Sequence, residues 1–175
     1  MPMIDAFIPE GALKPAAEER LFTELTEILI RLEGFDPANE RARAATWIFL
    51  HRPKVFRAGA PAALPQYRFI PSVPEGQYDD ERRTAIVREV TEAVAKAEGG
   101  TFEDVSQRVW VFPHEVPDGH WGGRGVVRRL PDILAYLVGE HARQAAEHRL
   151  ADRRRKNAVA ILDAAGDGAR VGGRG

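Results

Sequence analysis

Residues 2–34, PMIDAFIPEGALKPAAEERLFTELTEILIRLEG, decide the fold, because their pattern returns about 65 positions later. Met3 to Ile8 is short and mostly apolar and is ended by Pro9-Glu10-Gly11, which predicts a strand running into a turn. Pro15 suits a first helical turn, where its missing N–H leaves no bond unmade. Phe22, Leu25, Leu29 and Leu32 follow at helical spacing, and Gly34 closes the segment. A second strand is expected over roughly Ala44 to Leu50.

The order then repeats. Tyr67 to Val73 reads as a strand, Pro74-Glu75-Gly76 as its turn, and Asp79-Asp80-Glu81 as an acidic helix start that complements the helix dipole. Val87, Val90, Val94 and Ala97 stand 65 positions after the apolar face of the first helix, and Gly99 ends the second. Gln107 to Phe112 is the following strand. Leu32-Glu33-Gly34 answers Ala97-Glu98-Gly99, and Trp47-Ile48-Phe49-Leu50-His51 answers Trp110-Val111-Phe112-Pro113-His114. Several matches in one order at a nearly constant offset indicate an internal duplication.

The predicted fold class is α+β: a duplicated β-α-β unit forming a four-stranded sheet with two helices on one face, plus a C-terminal helix. One domain is expected over 1–162, with repeats at 1–64 and 65–130, a helix over 131–162 and a disordered tail over 163–175. Both helices on one face leave the other face of the sheet to be covered, and copies of the same chain are the economical cover.

Composition narrows the function classes. A chain of 175 residues with 44% hydrophobic and 29% charged residues has the makeup of a globular domain. Its formal net charge of −1 gives no reason to expect nucleic acid or an anionic membrane. Cysteine is absent, which excludes disulfides and thiolate chemistry within the chain. No apolar run approaches spanning length, and MPMIDAFIPEG lacks the pattern of a secretory signal, so a cytoplasmic location is expected. Arg153-Arg154-Arg155-Lys156 reads as a solvated helix face, and His141 and His148 as surface residues. His51 and His114 are related by the repeat and read as structural. Neither a metal site nor a cofactor is expected, since no ligand set at suitable spacing is found.

On these motifs the chain resembles the tautomerase superfamily. Residues 75–94 and 106–125 look like the short 4-oxalocrotonate tautomerase subunit, while the first repeat and layout are similar to cis-3-chloroacrylic acid dehalogenase. The resemblance implies a tautomerase (macrophage migration inhibitory factor-like) homotrimer with Pro2 as the catalytic residue at the floor of each pocket. The expected reaction is cofactor-independent isomerisation of a small keto–enol or unsaturated carboxylate substrate. A free proline amine is basic near neutral pH, burial lowers its basicity, and its ring fixes the direction of the lone pair. Such an amine can take a proton from carbon beside a carbonyl and return it elsewhere. Removal of Met1 is required, because a retained Met1 makes the nitrogen an amide.

The substrate-binding candidates are Arg108, Trp121, Tyr78, Arg52 and Arg57. Arg108 and Trp121 fall at pocket positions of the short-tautomerase pattern. Arg52 and Arg57 flank Pro53–Phe56, from where they would reach a neighbouring subunit. The dehalogenase pattern itself is broken: its helix histidine is Leu29, its two arginines fall at Glu75 and Tyr78, its tyrosine at Phe112, and its water-activating glutamate beside Gly122. Hydratase or dehalogenase chemistry on haloacrylate-like acids is the alternative enzyme reading. A trimeric binding protein without turnover is a further alternative, and an unrelated dimeric regulatory module would leave Pro2 without a role.

Overall fold

The computed structural model describes residues 2–171, with side chains through 165; the expectations for Met1 and for residues 172–175 lie outside these. The chain divides into two compact units, residues 1–117 and 118–175, where the sequence suggests one domain over 1–162.

In the first unit, strand β1 (Met3–Phe7) leads through Pro9–Gly11 into helix α1 (Pro15–Leu32). Helix α2 (Glu40–Ala45) precedes β2 (Trp47–His51), and its start is capped by the Asn39 side chain accepting from the Ala42 N–H. This short helix occupies the start of the expected strand. A small hairpin, β3 (Phe56–Arg57) and β4 (Ala60–Pro61), turns through Ala58 and Gly59, both at positive φ. Then come β5 (Tyr67–Pro74), helix α3 (Asp80–Glu98) capped by Asp79, helix α4 (Phe102–Ser106), β6 (Val109–Val111) and β7 (His114–Val116).

The sheet order is β2-β1-β5-β6, with β7 also on β5. The fourth position is thus shared by two strands, and the break between them falls at Phe112-Pro113. Proline has no N–H for the ladder, so the chain resumes pairing one residue later. The duplication is visible in the pairing. Met3 lies opposite Trp47 in the parallel pair β1–β2, and Arg68 lies opposite Trp110 in the parallel pair β5–β6. β1 and β5 run antiparallel at the centre, so the two repeats face each other head to tail.

α1 and α3 cover one face of this sheet. Ile4, Ala6, Ile8, Tyr67, Phe69 and Val73 point from the strands into a core shared with Leu21, Leu25 and Leu29 of α1. From α3 the core takes Ile86, Val90, Ala93 and Val94, while Val87 stays 40% exposed. Ile86 and Val87 are both apolar, and the stripe 86, 90, 93, 94 is the one that turns toward the sheet. The opposite face carries Trp47 and Phe49 on one repeat and Trp110 and Phe112 on the other, each pair in edge contact at 6.2 and 6.3 Å. All four rings are exposed, with Trp47 at 62% and Trp110 at 68%. Arg68 sits between the Phe7 and Phe112 rings at 5.2 and 5.3 Å.

The second unit begins with a hairpin, β8 (Trp121–Gly123) and β9 (Val126–Arg128), turned by Arg124 and Gly125 in the left-handed region. Two successive positive φ values give the type of turn whose twist matches paired strands. Helix α5 (Leu130–Val138) follows, its start held by Asp118, which accepts from the Leu130 N–H at 2.9 Å. Helix α6 (Arg143–Val171) continues past residue 163, where the sequence suggests a tail. Asp132 of α5 and Arg143 of α6 pair at 2.7 Å. No helix among the described residues is long and apolar enough to cross a membrane.

Candidate functional site

Pro2 enters at the first position of the central strand and is buried. Its carbonyl accepts from the Trp47 N–H at 3.3 Å. Continuing the register from Met3–Ser72 sets Pro2 opposite Val73, and Val73 is opposite Glu115 on β7. The end of the sheet that holds Pro2 therefore also holds the C-terminal end of β5 and the loop into α3. The C-terminus of α1 arrives at the same end, since α1 runs back along β1.

These segments bring a polar cluster together. Glu33, Gln77 and Tyr78 are at most 1% exposed. Glu115 Oε1 accepts from the N–H groups of Gly76 and Tyr78 at 2.9 and 3.0 Å, while Oε2 accepts from Arg83 at 2.6 Å. Arg82 donates to the Gln77 carbonyl at 2.9 Å, and its guanidinium lies beside Gly34. The Tyr78 hydroxyl has no hydrogen-bond partner among the described residues. Burial, and after it the carboxylates of Glu33 and Glu115, push the Tyr78 phenol up. It stays a neutral donor across the physiological range.

Arg52 and Arg108 stand at the other end of the sheet, about 20 Å from Pro2 at the rise of an extended strand. Arg108 is 9% exposed. Its Nη2 donates to both oxygens of Glu98 at 2.9 and 3.1 Å, and Nη1 to the Pro65 carbonyl at 2.8 Å. The family resemblance implies a substrate ligand here; the geometry makes it a clamp on the start of β5. Arg52 is likewise held, bidentate on Glu18 at 2.6 and 2.7 Å. Arg57 lies exposed on the β3–β4 hairpin, with no hydrogen bond or ion pair among the described residues. Trp121 belongs to the hairpin of the second unit, half-buried and opposite Arg128. Of the six candidates, the first unit brings only Pro2 and Tyr78 to one end.

Leu29 is fully buried in the core, so the position of the dehalogenase histidine is a packing position here. His51 donates from Nε2 to Asp5 Oδ1 at 2.8 Å and stacks on Phe7, whereas His114 stands 3.5 Å from the Ser72 hydroxyl. The shared role expected of the two histidines is not what the structure has. A groove of about 800 Å³ lies elsewhere, between Glu24, Ile28 and Arg31 of α1 and Asp80, Arg88 and Glu92 of α3, and it contains none of the candidates. Among the described residues no group of His, Asp or Glu is arranged to hold a metal ion.

Comparison with known proteins bears on this geometry. Residues 72–129 match the family model described as Tautomerase enzyme. The fold matches N1, a member of the cis-3-chloroacrylic acid dehalogenase family, with a TM-score of 0.61 over 83% of this chain and 99% of that one, at 12% identity. The chain has the fold of the tautomerase proteins. A fused 4-OT, solved as a wild-type symmetric trimer, matches at TM-score 0.58, 19% identity, 71% of this chain and 94% of that one. The protein Pt0534, solved after inactivation by 2-oxo-3-pentynoate, matches at TM-score 0.58, 18% identity, 71% and 94%. At such identities the likeness to these solved proteins is one of fold. No curated protein sequence matches the chain.

Proposed function

We propose that this chain belongs to the tautomerase superfamily and is a cytoplasmic, homotrimeric, cofactor-independent isomerase that moves a proton on a small keto–enol or unsaturated carboxylate substrate. Pro2 is the general base once Met1 is removed. The observation that carries the reading is the burial of Pro2 at the start of the central strand, at the end where Tyr78 presents a buried neutral hydroxyl. The amine takes a proton from carbon next to the carbonyl, the developing enolate oxygen accepts a hydrogen bond, and the conjugate ammonium returns the proton at the other position. Tyr78 is the donor within the same chain. Arg57 is a further substrate contact, offered to a neighbouring copy from its exposed hairpin.

The test is a screen of phenylpyruvate enol and 2-hydroxymuconate by ultraviolet absorbance, with wild type and Pro2→Ala in parallel. Loss of general base catalysis lowers turnover by about a hundredfold or more. Equal, slow rates in both proteins sink the enzyme reading and leave a trimeric binding protein. Because Pt0534 is inactivated by 2-oxo-3-pentynoate, the same reagent is a probe here: a covalent adduct mapped to Pro2 supports the free amine, and an intact Met1 in the mass spectrum refutes it. Halide release from cis-3-chloroacrylate separates the hydrolytic alternative, which the buried Leu29 disfavours.

A further inference from the structure

The uncovered face of the sheet carries one carboxylate and one guanidinium, and the two do not meet within the chain. Strands β1, β2, β5 and β6 together contain a single acid, Asp5, and a single arginine, Arg68. Ile4 and Ala6 are fully buried on the helix side, so Asp5 between them points the other way. Tyr67 and Phe69 are likewise buried, and Arg68 between them is exposed. Both charges therefore share the face of the four exposed rings.

Each is held by neighbours that leave its charge unanswered. The Arg68 guanidinium lies over the Phe7 and Phe112 rings at 5.2 and 5.3 Å. Ring faces attract the cation but give its five N–H donors no acceptor oxygen. Those donors have no hydrogen bond or ion pair among the described residues. The Asp5 side chain is 32% exposed, and its Oδ1 accepts from His51 at 2.8 Å. Oδ2 has no bond among the described residues. The register sets Asp5 opposite Ile70 and Phe7 opposite Arg68, which makes the two charges diagonal neighbours on adjacent strands.

These charges restrict what can cover the face. A cover that takes Phe112 out of water also takes the Arg68 guanidinium that rests on it. A buried guanidinium without an acceptor is strongly destabilising, whereas one that meets a carboxylate gains two parallel charge-assisted hydrogen bonds. A wholly apolar partner is thereby excluded, and so is a basic one. A second copy of the chain supplies both needs, apolar rings and an acid with an open oxygen.

We propose that Arg68 of one copy pairs with Asp5 of the next across the subunit contact. The inference rests on the homotrimer reading. In a ring of three, each copy offers Arg68 to one neighbour and Asp5 to the other, and three identical pairs close the assembly. The pair gives the contact a register that apolar rings alone do not set. Phe7 and Phe112 hold the guanidinium in place before assembly, which lowers the cost of ordering it.

The experiment is light scattering over a dilution series. It compares wild type with Arg68→Gln, Asp5→Asn, Arg68→Asp, Asp5→Arg and the double reversal Asp5→Arg/Arg68→Asp, with circular dichroism to check the fold. Each single change is expected to raise the concentration of half-assembly at least tenfold. The double reversal restores opposite charges across the contact and is expected to assemble more tightly than either reversal alone. Half-assembly unchanged in Arg68→Gln or in Asp5→Asn overturns the pair, while a trimeric wild type leaves the homotrimer reading in place. A double reversal no tighter than the single reversals also overturns it. A wild type that stays at the 19.4 kDa of one chain at every concentration removes the homotrimer reading and the pair with it.

Discussion

A single guanidinium shows how far a pattern position and the contacts found in three dimensions can part. Arg108 occupies a pocket position by pattern, yet its donors are held by Glu98 and the Pro65 carbonyl. Removing one partner of a buried pair leaves the other charge without compensation, which costs about 3–5 kcal/mol. Arg108→Ala is therefore expected to lower the unfolding free energy of the first unit by about that amount, read from urea denaturation. Any Pro2-dependent rate per folded molecule is expected to persist. A variant of native stability with a raised KM would return Arg108 to the substrate. Leu29 makes the complementary case. Leu29→Ala is expected to lose about 2–5 kcal/mol in urea denaturation, as for other fully buried leucines. Glu33 is the residue that sequence reasoning passed over. Its recurrence as Glu98 marks a helix end, and a helix end is all that spacing alone can say.

At the scale of elements, the duplicated strand–helix–strand pattern was legible because each step has a local cause. Pro15 opens α1, Asp79 caps α3, and Gly99 ends it at φ 79°. Gly99→Ala would force a side chain into the left-handed region and is expected to destabilise by about 1 kcal/mol, read as a lower melting temperature. Two features needed three dimensions. Residues 40–45 are charged and alanine-rich with no apolar stripe to mark α2, and its last two residues fall within the expected strand. The Gly-rich stretch 119–125 reads as a turn, whereas pairing of Trp121 with Arg128 makes it a hairpin. In the second unit Arg143 holds the Asp132 carboxyl below its usual value by a hydrogen bond, against a smaller opposing effect of burial. That pair stabilises above the unfolded pKa of about 4 and loses its contribution as pH falls through the lower folded value. With both side chains 38% exposed, solvent screening keeps the contribution to about 0.5 kcal/mol. Asp132→Asn is expected to flatten the acid limb of helix melting by no more than this amount; a larger change would mean a tighter pair.

For the whole molecule, the sheet has one face covered by its own helices and one that presents Trp47, Phe49, Trp110 and Phe112. The duplication relates them as two equivalent pairs, and the structure puts both on the uncovered face. Light scattering is expected to give three times the 19.4 kDa chain mass. Trp110→Glu puts a charge into a surface that assembly would desolvate, and the expected outcome is a lower mass at micromolar concentration. A trimer undisturbed by that change would place the contact elsewhere.

The head-to-tail arrangement of the two repeats fixes a stoichiometry. Each repeat ends one edge of the sheet with the same backbone, but only a strand that starts a polypeptide can offer a free amine. The second repeat's first residue, Tyr67, is joined to Gln66 and hydrogen-bonded through its N–H to Arg108. An assembly of three fused chains therefore has half the reactive centres that six separate short subunits would have. A reagent directed at the amine is expected to saturate at one equivalent per chain.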